Sequence, residues 1–398
     1  MTSSNSSYQP AQQALDLGLP IPNEEEIEIS KTLVKKICEA ADRNNGVPFS
    51  SFMNLSLYDP ELGYYSAGKH KFGADGDFVT APELGTVFAY CLADQCEQIL
   101  RTLADGQILE AGAGRGRLAA DLLLELEKRD SLPQQYQILE LSHSLRTVQR
   151  ETLAARAPHL LHRVQWLDAF PQNFVGIILG NEILDAMPVE LFEVCDTGTV
   201  RITVQCLDGL PVLGESKDVP AQMSERLQFF SLPTGYRSEI NLQAEAWIGS
   251  AADALTAGVI LLIDYGFPRE EYYHPQRQAG TLMCHYRHHS HSDPLSLVGL
   301  QDITAHVDFT AMAEAAIDNH MDVLGYTSQA AFLMACGLGK LVGASDPEKA
   351  EDHMALTAQI NRLTQPSEMG ELFKVIAFGK QYNEPLKGFL LQDRRHRL

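Results

Sequence analysis

The most informative stretch of this sequence runs Ile108-Leu109-Glu110-Ala111-Gly112-Ala113-Gly114-Arg115-Gly116-Arg117-Leu118. An acid lies two residues before the first of three glycines, which occupy alternate positions. The apolar residues before them indicate the end of a strand, and Leu118-Ala119-Ala120-Asp121-Leu122-Leu123 indicates the start of a helix. The sequence therefore predicts a strand, a tight turn and a helix. Glycine lets the backbone of such a turn approach a ligand closely, because it has no side chain.

The spacing of the glycines indicates which ligand this turn could bind. A dinucleotide-binding loop has G-x-G-x-x-G spacing, and its third glycine permits close packing of helix on strand. Here that position is Arg117, and the third glycine comes one residue earlier, at Gly116. The pattern E-x-G-x-G-x-G is instead typical of the loop that binds S-adenosylmethionine (SAM) in methyltransferases. Taken alone, the loop leaves open a plain connection between strand and helix.

Composition and charge narrow the classes of function. The chain has 398 residues, enough for one large α/β domain with additions or for two domains. Its 31 basic and 52 acidic residues give a formal net charge of −21. This charge opposes binding to nucleic acid and favours cationic partners, including substrates that carry arginine or lysine. No apolar run approaches the about 20 residues that span a bilayer, so we expect no membrane span. The oligomeric state stays open.

The cysteines and the N-terminus bear on location. The seven cysteines are scattered and include no C-x-x-C pair, so we expect reduced, intracellular thiols rather than a disulfide framework. The polar N-terminus does not resemble a signal peptide. We therefore expect a cytoplasmic bacterial protein, which the lack of a transit peptide favours over the mitochondrial matrix.

The chain divides into four stretches. We expect a poorly ordered tail over 1–26, a helical section over 27–104, an α/β core over 105–382 and a C-terminal tail over 383–398. Insertions are expected at 188–240, where alternation and turns predict a β-hairpin, at 266–305 and, with helical spacing, at 327–365. The predicted core strands are 107–111, 136–141, 163–167, 176–180, 259–264, 321–325 and 371–379, and the helices between most of them are 116–128, 143–155, 242–256 and 308–319. This alternation predicts a largely parallel, doubly wound sheet.

Two acids follow successive strands after the glycine loop. Glu140 ends the second predicted strand, where a carboxylate can accept hydrogen bonds from both ribose hydroxyls. Asp168 follows the third, where it could accept from an adenine amino group. Ligands bind at this edge of a doubly wound sheet, so the two acids are candidates for the adenosine site. A solvated strand end is the alternative for each.

Polar residues also follow the fourth predicted strand. Asn181, Glu182 and Asp185 are therefore candidates to hold the substrate or the methionine end of the cofactor. Helix capping is the alternative, because asparagine is a good N-cap and acids suit a first turn. If a helical turn begins here, Glu182 and Asp185 lie on one face of it.

Three further segments are candidates for function. The run that contains Gly76, Asp77 and Glu83 is dense in glycine and acid, although alone it would pass for a surface loop. The run His285-Tyr286-Arg287-His288-His289-Ser290-His291 lacks cysteines at ligand spacing, so we expect a partly cationic lid and no metal site. His306 is either a packed histidine or a proton acceptor.

Several long motifs carry a resemblance to a known family. They are Phe49-Ser50-Ser51-Phe52-Met53, Tyr58-Asp59-Pro60-Glu61-Leu62-Gly63-Tyr64-Tyr65, Gly76-Asp77-Phe78-Val79-Thr80-Ala81-Pro82-Glu83, the glycine loop, Asn181-Glu182 with Asp185 and Pro188, Ile263-Asp264-Tyr265-Gly266 and His306-Val307-Asp308-Phe309-Thr310. In this order they resemble the SAM-dependent methyltransferase family of the mitochondrial complex I assembly factor 7 and its bacterial relatives, over roughly residues 27–380. One departure is Arg115, where relatives often carry a small residue; its cation could meet the SAM carboxylate or point to solvent.

The resemblance implies a seven-stranded, Rossmann-like, class I SAM methyltransferase fold with a helical N-terminal section. It also implies methylation of protein arginine, with a subunit of respiratory complex I as substrate. Within that frame, Glu182 and Asp185 are the first candidates to grip a guanidinium, Glu83 is a third, and His306 could remove the proton. The expected cofactor-binding residues are Gly76, Asp77, Glu110, Gly112, Gly114, Gly116, Glu140, Asp168 and Asn181.

Two rival functions remain at this point. A methyltransferase for small molecules is open, whereas one for nucleic-acid bases is disfavoured by the acidic charge and by the absence of a Pro-Pro turn after the fourth strand. The second rival is an assembly factor that binds SAM and acts through contact with a partner rather than through catalysis.

Overall fold

The structure is a computed structural model that describes residues 8–65, 80–228, 230–344 and 350–398. The chain forms two compact units. The core unit comprises Val79–Leu184, Glu245–Arg269 and Val307–Leu398, and the insertion unit comprises Met1–Phe78, Asp185–Ala244 and Glu270–His306. Each helix in the described part of the chain is too short or too polar to span a bilayer.

The strands, in chain order, are β1 (Val47–Pro48), β2 (Gln107–Ala111), β3 (Tyr136–Leu139), β4 (Val164–Leu167), β5 (Phe174–Asn181), β6 (Glu190–Cys195), β7 (Gly198–Leu207), β8 (Leu210–Ser216), β9 (Arg237–Ile240), β10 (Leu255–Phe267), β11 (Met283–Tyr286), β12 (His289–His291), β13 (Asp302–Thr304), β14 (Val307–Asp308), β15 (Asp322–Ser328) and β16 (Phe373–Lys380).

The α-helices are α1 (Pro10–Asp16), α2 (Glu24–Asn44), α3 (Phe49–Tyr58), α4 (Ala81–Leu84), α5 (Val87–Thr102), α6 (Arg117–Lys128), α7 (His143–Arg156), α8 (Ala221–Leu227), α9 (Leu242–Ala254), α10 (Arg269–Tyr272), α11 (Phe309–Asp318), α12 (Gln329–Leu333), α13 (Gly339–Gly343), α14 (Ala350–Thr364) and α15 (Met369–Leu372). A π-turn covers Met334–Leu338, and short 3-10 helices cover Pro158–Arg163, Lys387–Phe389 and Arg395–Arg397.

The core unit is built on one large sheet. Its strand order is β15-β16-β10-β5-β2-β3-β4, with the two-residue β14 beside β10. The strands from β10 to β4 are parallel to their neighbours, and β16 is antiparallel to both β10 and β15. The chain crosses from one half of the sheet to the other between β2 and β5, and the carboxyl ends at such a switch point form the ligand crevice of a doubly wound sheet.

Burial explains why the central strands form this layer. β10 and β16 are nearly continuous runs of buried residues, as expected for strands covered on both faces. Phe88 of α5 and Leu122 of α6 are buried in the same apolar cluster as Ile177 of β5. The predicted seven-stranded, doubly wound sheet is therefore confirmed, with strands and helices within a few residues of their predicted bounds.

The insertion unit contains two smaller sheets. One has the order β1-β7-β6-β9 with β8 paired to β7, so the predicted hairpin is a three-stranded meander of β6, β7 and β8. The other has the order β12-β11-β13. Helices α2 and α3 bury Leu33, Ile37, Phe49 and Phe52 against the apolar side chains of this unit.

The structure corrects three expectations about the chain outside the core sheet. Residues 8–26 are not a loose tail, because α1 forms there and the buried Tyr8 hydroxyl lies 3.2 Å from Ser30 Oγ. Helix α5 belongs to the core unit, so the expected boundary at 104 is wrong. Cys38 and Cys206 form a disulfide that joins α2 to β7, so these two thiols are not reduced.

The histidine-rich run forms a β-hairpin. β11 and β12 pair with a two-residue turn at Arg287 and His288, and Arg287 forms a salt bridge of 2.9 Å with Glu26 of α2. Burial lowers the pKa of His285 to about 4, which keeps its ring neutral. The described residues contain no cluster of three or more side chains suited to a metal.

Candidate active site

The glycine loop leaves β2 at the switch point of the core sheet. Gly112, Gly114 and Gly116 all have positive φ, of 64°, 51° and 80°. A Cβ at Gly112 would lie 2.9 Å from Ile183 Cγ2, and one at Gly116 would lie 3.0 Å from Gln149 Cα. A Cβ at Gly114 would meet no atom of the described residues within 4 Å. The outer glycines therefore permit close packing, and the middle one presents bare backbone to open space.

Glu110 lies beneath this loop rather than at its surface. Its side chain is 3% exposed and accepts a hydrogen bond of 2.6 Å from the Tyr136 hydroxyl. Burial raises the pKa of Glu110 to about 7, and the nearby Glu140 adds to the rise. The carboxyl group thus bonds β2 to the neighbouring β3 inside the core.

Glu140 lies at the carboxyl end of β3 as predicted. Its Oε1 accepts from the backbone N–H of Ser142 at 2.9 Å, and its Oε2 accepts from Gln149 Nε2 at 3.0 Å. Burial raises the pKa of Glu140, and these hydrogen bonds lower it in part. A carboxylate has about four lone-pair sites, so acceptor capacity remains for ribose hydroxyls beside these donors.

The next residue, Leu141, was missed by the sequence reasoning. Its side chain is 75% exposed, directly beside the buried Glu140. An exposed leucine at the end of a core strand suits an apolar, planar ligand such as adenine. The signal was present in the sequence as an apolar residue immediately after the candidate ribose acid.

Asp168 has a partner that the sequence did not reveal. Its side chain is 83% exposed, and Oδ1 lies 2.6 Å from Nη2 of Arg146. The buried Arg146 also donates to the backbone carbonyls of Glu140 and Leu167. This arginine therefore ties the ends of β3 and β4 together and leaves Oδ2 of Asp168 toward solvent.

The segment after β5 does not begin a helix, so Glu182 and Asp185 do not share the face of a helical turn. The N–H of Glu182 extends the sheet pairing by donating to Ile263 O at 2.9 Å, and the residue has a φ of 54°. Two residues later the N–H of Leu184 donates to Oδ2 of the buried Asp264 at 2.9 Å. These bonds to β10 hold the chain in an irregular turn in place of a helix. Because no helix begins here, Asn181 is not the N-cap of one.

Asn181 and Glu182 are joined by their side chains. Asn181 Nδ2 donates to Glu182 Oε1 at 2.9 Å. The Oδ1 atom of Asn181 is buried and has no hydrogen-bond partner among the described residues. A buried acceptor of this kind is a site where a ligand N–H or O–H would be bound.

The remaining candidates are placed as follows. Asp185 is buried in the insertion unit, where its backbone carbonyl accepts from Ala305 N at 2.9 Å, next to His306. Glu83 belongs to α4 of the core unit, and its carboxylate lies 3.8 Å from Nη1 of Arg117, the first residue of α6. Gly76 and Asp77 lie outside the described residues.

Comparison with known proteins identifies the family to which the chain belongs. The model of a family described as S-adenosyl-L-methionine-dependent methyltransferase matches residues 91–327, more than half of the chain. The chain belongs to this methyltransferase family. A protein of Burkholderia thailandensis crystallised with S-adenosylhomocysteine (SAH) is 42% identical to the methyltransferase, with a TM-score of 0.93 over 96% of this chain and 100% of that one.

Curated relatives of the methyltransferase are more distant in sequence. The Drosophila melanogaster "Protein arginine methyltransferase NDUFAF7 homolog, mitochondrial" is 28% identical over 371 residues, covering 83% of this chain and 81% of the relative. The human "Protein arginine methyltransferase NDUFAF7, mitochondrial" is 26% identical over 378 residues, covering 83% and 79%.

The residues at the switch point fit the cofactor of the methyltransferase, which is SAM. Within the part of the chain that the structure describes, no atom lies within 4 Å of a Cβ built at Gly114, and the buried acceptor Asn181 Oδ1 has no donor. Glu140 and Leu141 together offer a carboxylate for ribose and an apolar surface for adenine. The described residues thus provide complementary groups for the sugar, the base and the amino-acid end.

Proposed function

We propose that this methyltransferase transfers the methyl group of SAM to arginine side chains of a protein substrate. The observation that carries the proposal is the position of Glu182, whose carboxylate is held by Asn181 at the switch point. The neighbouring Ile183 side chain packs against Gly112 of the glycine loop. The names of the curated relatives and the net charge of −21 support an arginine-bearing substrate.

The chemistry of the reaction assigns a specific task to the protein. Bound SAM supplies an electrophilic methyl group on a sulfonium, so methyl transfer itself needs no further activation of the donor. A guanidinium is a poor nucleophile because it is protonated and delocalised. The chain must therefore bind the guanidinium, align one nitrogen with the methyl group and exclude water.

Carboxylates are the groups suited to this task, because they bind a guanidinium through two parallel hydrogen bonds and offset its charge. Glu182 is our first candidate, and Asp185, which follows three residues later in the chain, is the second. Glu83 is a weaker third candidate, since its carboxylate already faces Arg117. We assign the acceptance of the proton to His306, whose backbone N–H is anchored by Thr281 Oγ1 at 2.9 Å.

The identity of the substrate protein is the narrower part of the proposal. By resemblance to the mitochondrial branch, we propose a subunit of a complex I-type dehydrogenase. A bacterial cytoplasmic location and the roles of Gly76 and Asp77 in cofactor binding stay predictions.

The test separates substrate binding from cofactor binding. Glu182→Gln and Asp185→Asn should keep the SAH dissociation constant within about threefold of the wild type. They should lower transfer to an arginine-bearing protein by about thirtyfold to thousandfold, because removing one partner of a buried charge pair costs about 2–4 kcal/mol. Glu151→Gln, an exposed acid of α7, is the matched control and should change neither quantity.

Three results would count against the proposal. Full activity in both variants would leave the carboxylates with a structural role. A loss of SAH binding in proportion to activity would make them cofactor ligands. Lost transfer with retained physiological function would favour an assembly factor that does not act through methylation.

A further inference from the structure

Gln149 joins three parts of the cofactor site that lie far apart in the chain. It is fully buried in α7. Its Nε2 donates to Gly114 O at 2.9 Å and to Glu140 Oε2 at 3.0 Å, and its Oε1 accepts from Trp166 Nε1 at 2.9 Å. One amide side chain thus spans the glycine loop, the end of β3 and the side of β4.

The geometry leaves this amide a single orientation. Both N–H groups are used by acceptors, and the oxygen is used by the indole N–H, which can only donate. If the amide of Gln149 were flipped, its oxygen would face the Glu140 carboxylate and the Gly114 carbonyl, neither of which can donate a hydrogen bond. The indole of Trp166 therefore fixes which face of Gln149 points to Glu140.

The hydrogen bond from Gln149 helps to fix the orientation of the Glu140 carboxylate. Ser142 N holds Oε1 and Gln149 Nε2 holds Oε2, so both oxygens are fixed and the plane of the carboxylate is set. Burial raises the pKa of Glu140, and the donor from Gln149 opposes that rise. A carboxylate whose plane is fixed in this way can accept from ribose hydroxyls without reorganising.

We infer that Gln149 is a positioning residue that sets the Glu140 carboxylate for the ribose hydroxyls and couples it to the glycine loop at Gly114. Gln149 acts through Glu140 and does not itself touch the cofactor. The inference rests on the SAM cofactor of the family, and it is independent of the proposal that arginine is the substrate.

The inference predicts a change in selectivity that a general loss of stability would not produce. The probes are SAH and its 2′-deoxyribose analogue, compared by calorimetry. The wild type should prefer SAH by about tenfold to hundredfold, since the analogue leaves a buried acceptor unpaired. In Gln149→Met this preference should fall to about threefold or less. Gln137→Met is the matched control, because Gln137 is a buried glutamine of β3 that bonds to Gln107, and it should keep the preference.

A second variant gives a readout in pH. Gln149→Glu places a carboxyl where the amide nitrogen lies 3.0 Å from Glu140. Two carboxylates at this distance share one proton, so the protonated form restores the donor and the doubly ionised form repels. SAH binding by Gln149→Glu should be at least about tenfold weaker than the wild type at pH 8 and should recover toward pH 5.5. The wild type should change little over this range.

The outcomes separate this inference from the family assignment. A wild type that binds neither probe would contradict the assigned cofactor site itself. A wild type that binds both probes equally, or a Gln149→Met variant that keeps the full preference, would overturn the role of Gln149. If Gln149→Met does not fold, a pH-independent SAH affinity in Gln149→Glu would overturn it in the same way.

Discussion

Replacing Gly114 by alanine tests whether the glycine loop is the cofactor cradle. The residue has a φ of 51°, and a Cβ built there would meet none of the described atoms within 4 Å. The folded protein therefore has room for the methyl group, and its cost is the strain of a left-handed alanine, about 1–2 kcal/mol. We expect the melting temperature to fall by only a few degrees.

The loss in binding should be larger than this strain, because the new methyl group occupies the space of the ligand. Overpacking a close contact costs about 1–3 kcal/mol, which corresponds to about fivefold to 150-fold weaker SAH binding. Gly209→Ala is the matched control, because Gly209 has a φ of 78° and lies in the turn between β7 and β8. A Cβ built there also lies more than 4 Å from the other described residues that could obstruct it. This variant should carry the same strain and bind SAH within about twofold of the wild type.

Calorimetric titration with SAH, alongside thermal unfolding of each variant, measures both effects. A folded Gly114→Ala that binds SAH as tightly as the wild type would refute the assignment of this loop. Equal losses of binding in Gly114→Ala and Gly209→Ala would assign the effect to strain rather than to contact with the ligand.

Three further predictions concern stability and the turn after β5. The pKa of Glu110 is raised to about 7 by burial, so its favourable contribution is present below its unfolded pKa and is lost as the pH rises through 7. The unfolding free energy of the wild type should therefore fall between pH 5 and 8. In Glu110→Gln this fall should be smaller by up to about 3 kcal/mol, as measured by urea denaturation. Asp264→Ala leaves two backbone N–H groups without their acceptor, one of them in Leu184, and should cost about 2–5 kcal/mol and reduce methyl transfer more than SAH binding. Reduction of the Cys38–Cys206 bond should lower the unfolding free energy by about 2–4 kcal/mol, and an unchanged denaturation midpoint with reductant would contradict the pairing.

The sequence predicted the core sheet well because its strands are marked by local patterns. The apolar run before Gly112 and the acid at Glu140 follow from strand periodicity and from the position of strand ends, and both predictions agree with the structure. Such patterns need only neighbouring residues. The alternation of strands with helices predicted a largely parallel sheet, which also agrees with the structure.

What the sequence did not predict depends on contacts between distant residues. The turn at Glu182 is held by Asp264, whose carboxylate accepts a hydrogen bond from the N–H of Leu184, 80 residues away in the chain. The disulfide joins residues 168 positions apart, and a scattered set of cysteines gives no sign of which pair meets. The bonds of Gln149 to Gly114, Glu140 and Trp166 likewise exist only in the folded chain.

The most direct test of the account is the fate of the methyl group. SAM with a labelled methyl group would be incubated with the purified protein and a lysate from a strain that lacks it, and the labelled fraction would be identified by mass spectrometry. The account predicts that the label is found in methylarginine of a protein from the lysate. It also predicts that this label is lost when the Glu182→Gln variant replaces the wild type. Label in small molecules or in another amino acid, or no label from a protein that binds SAM, would contradict it.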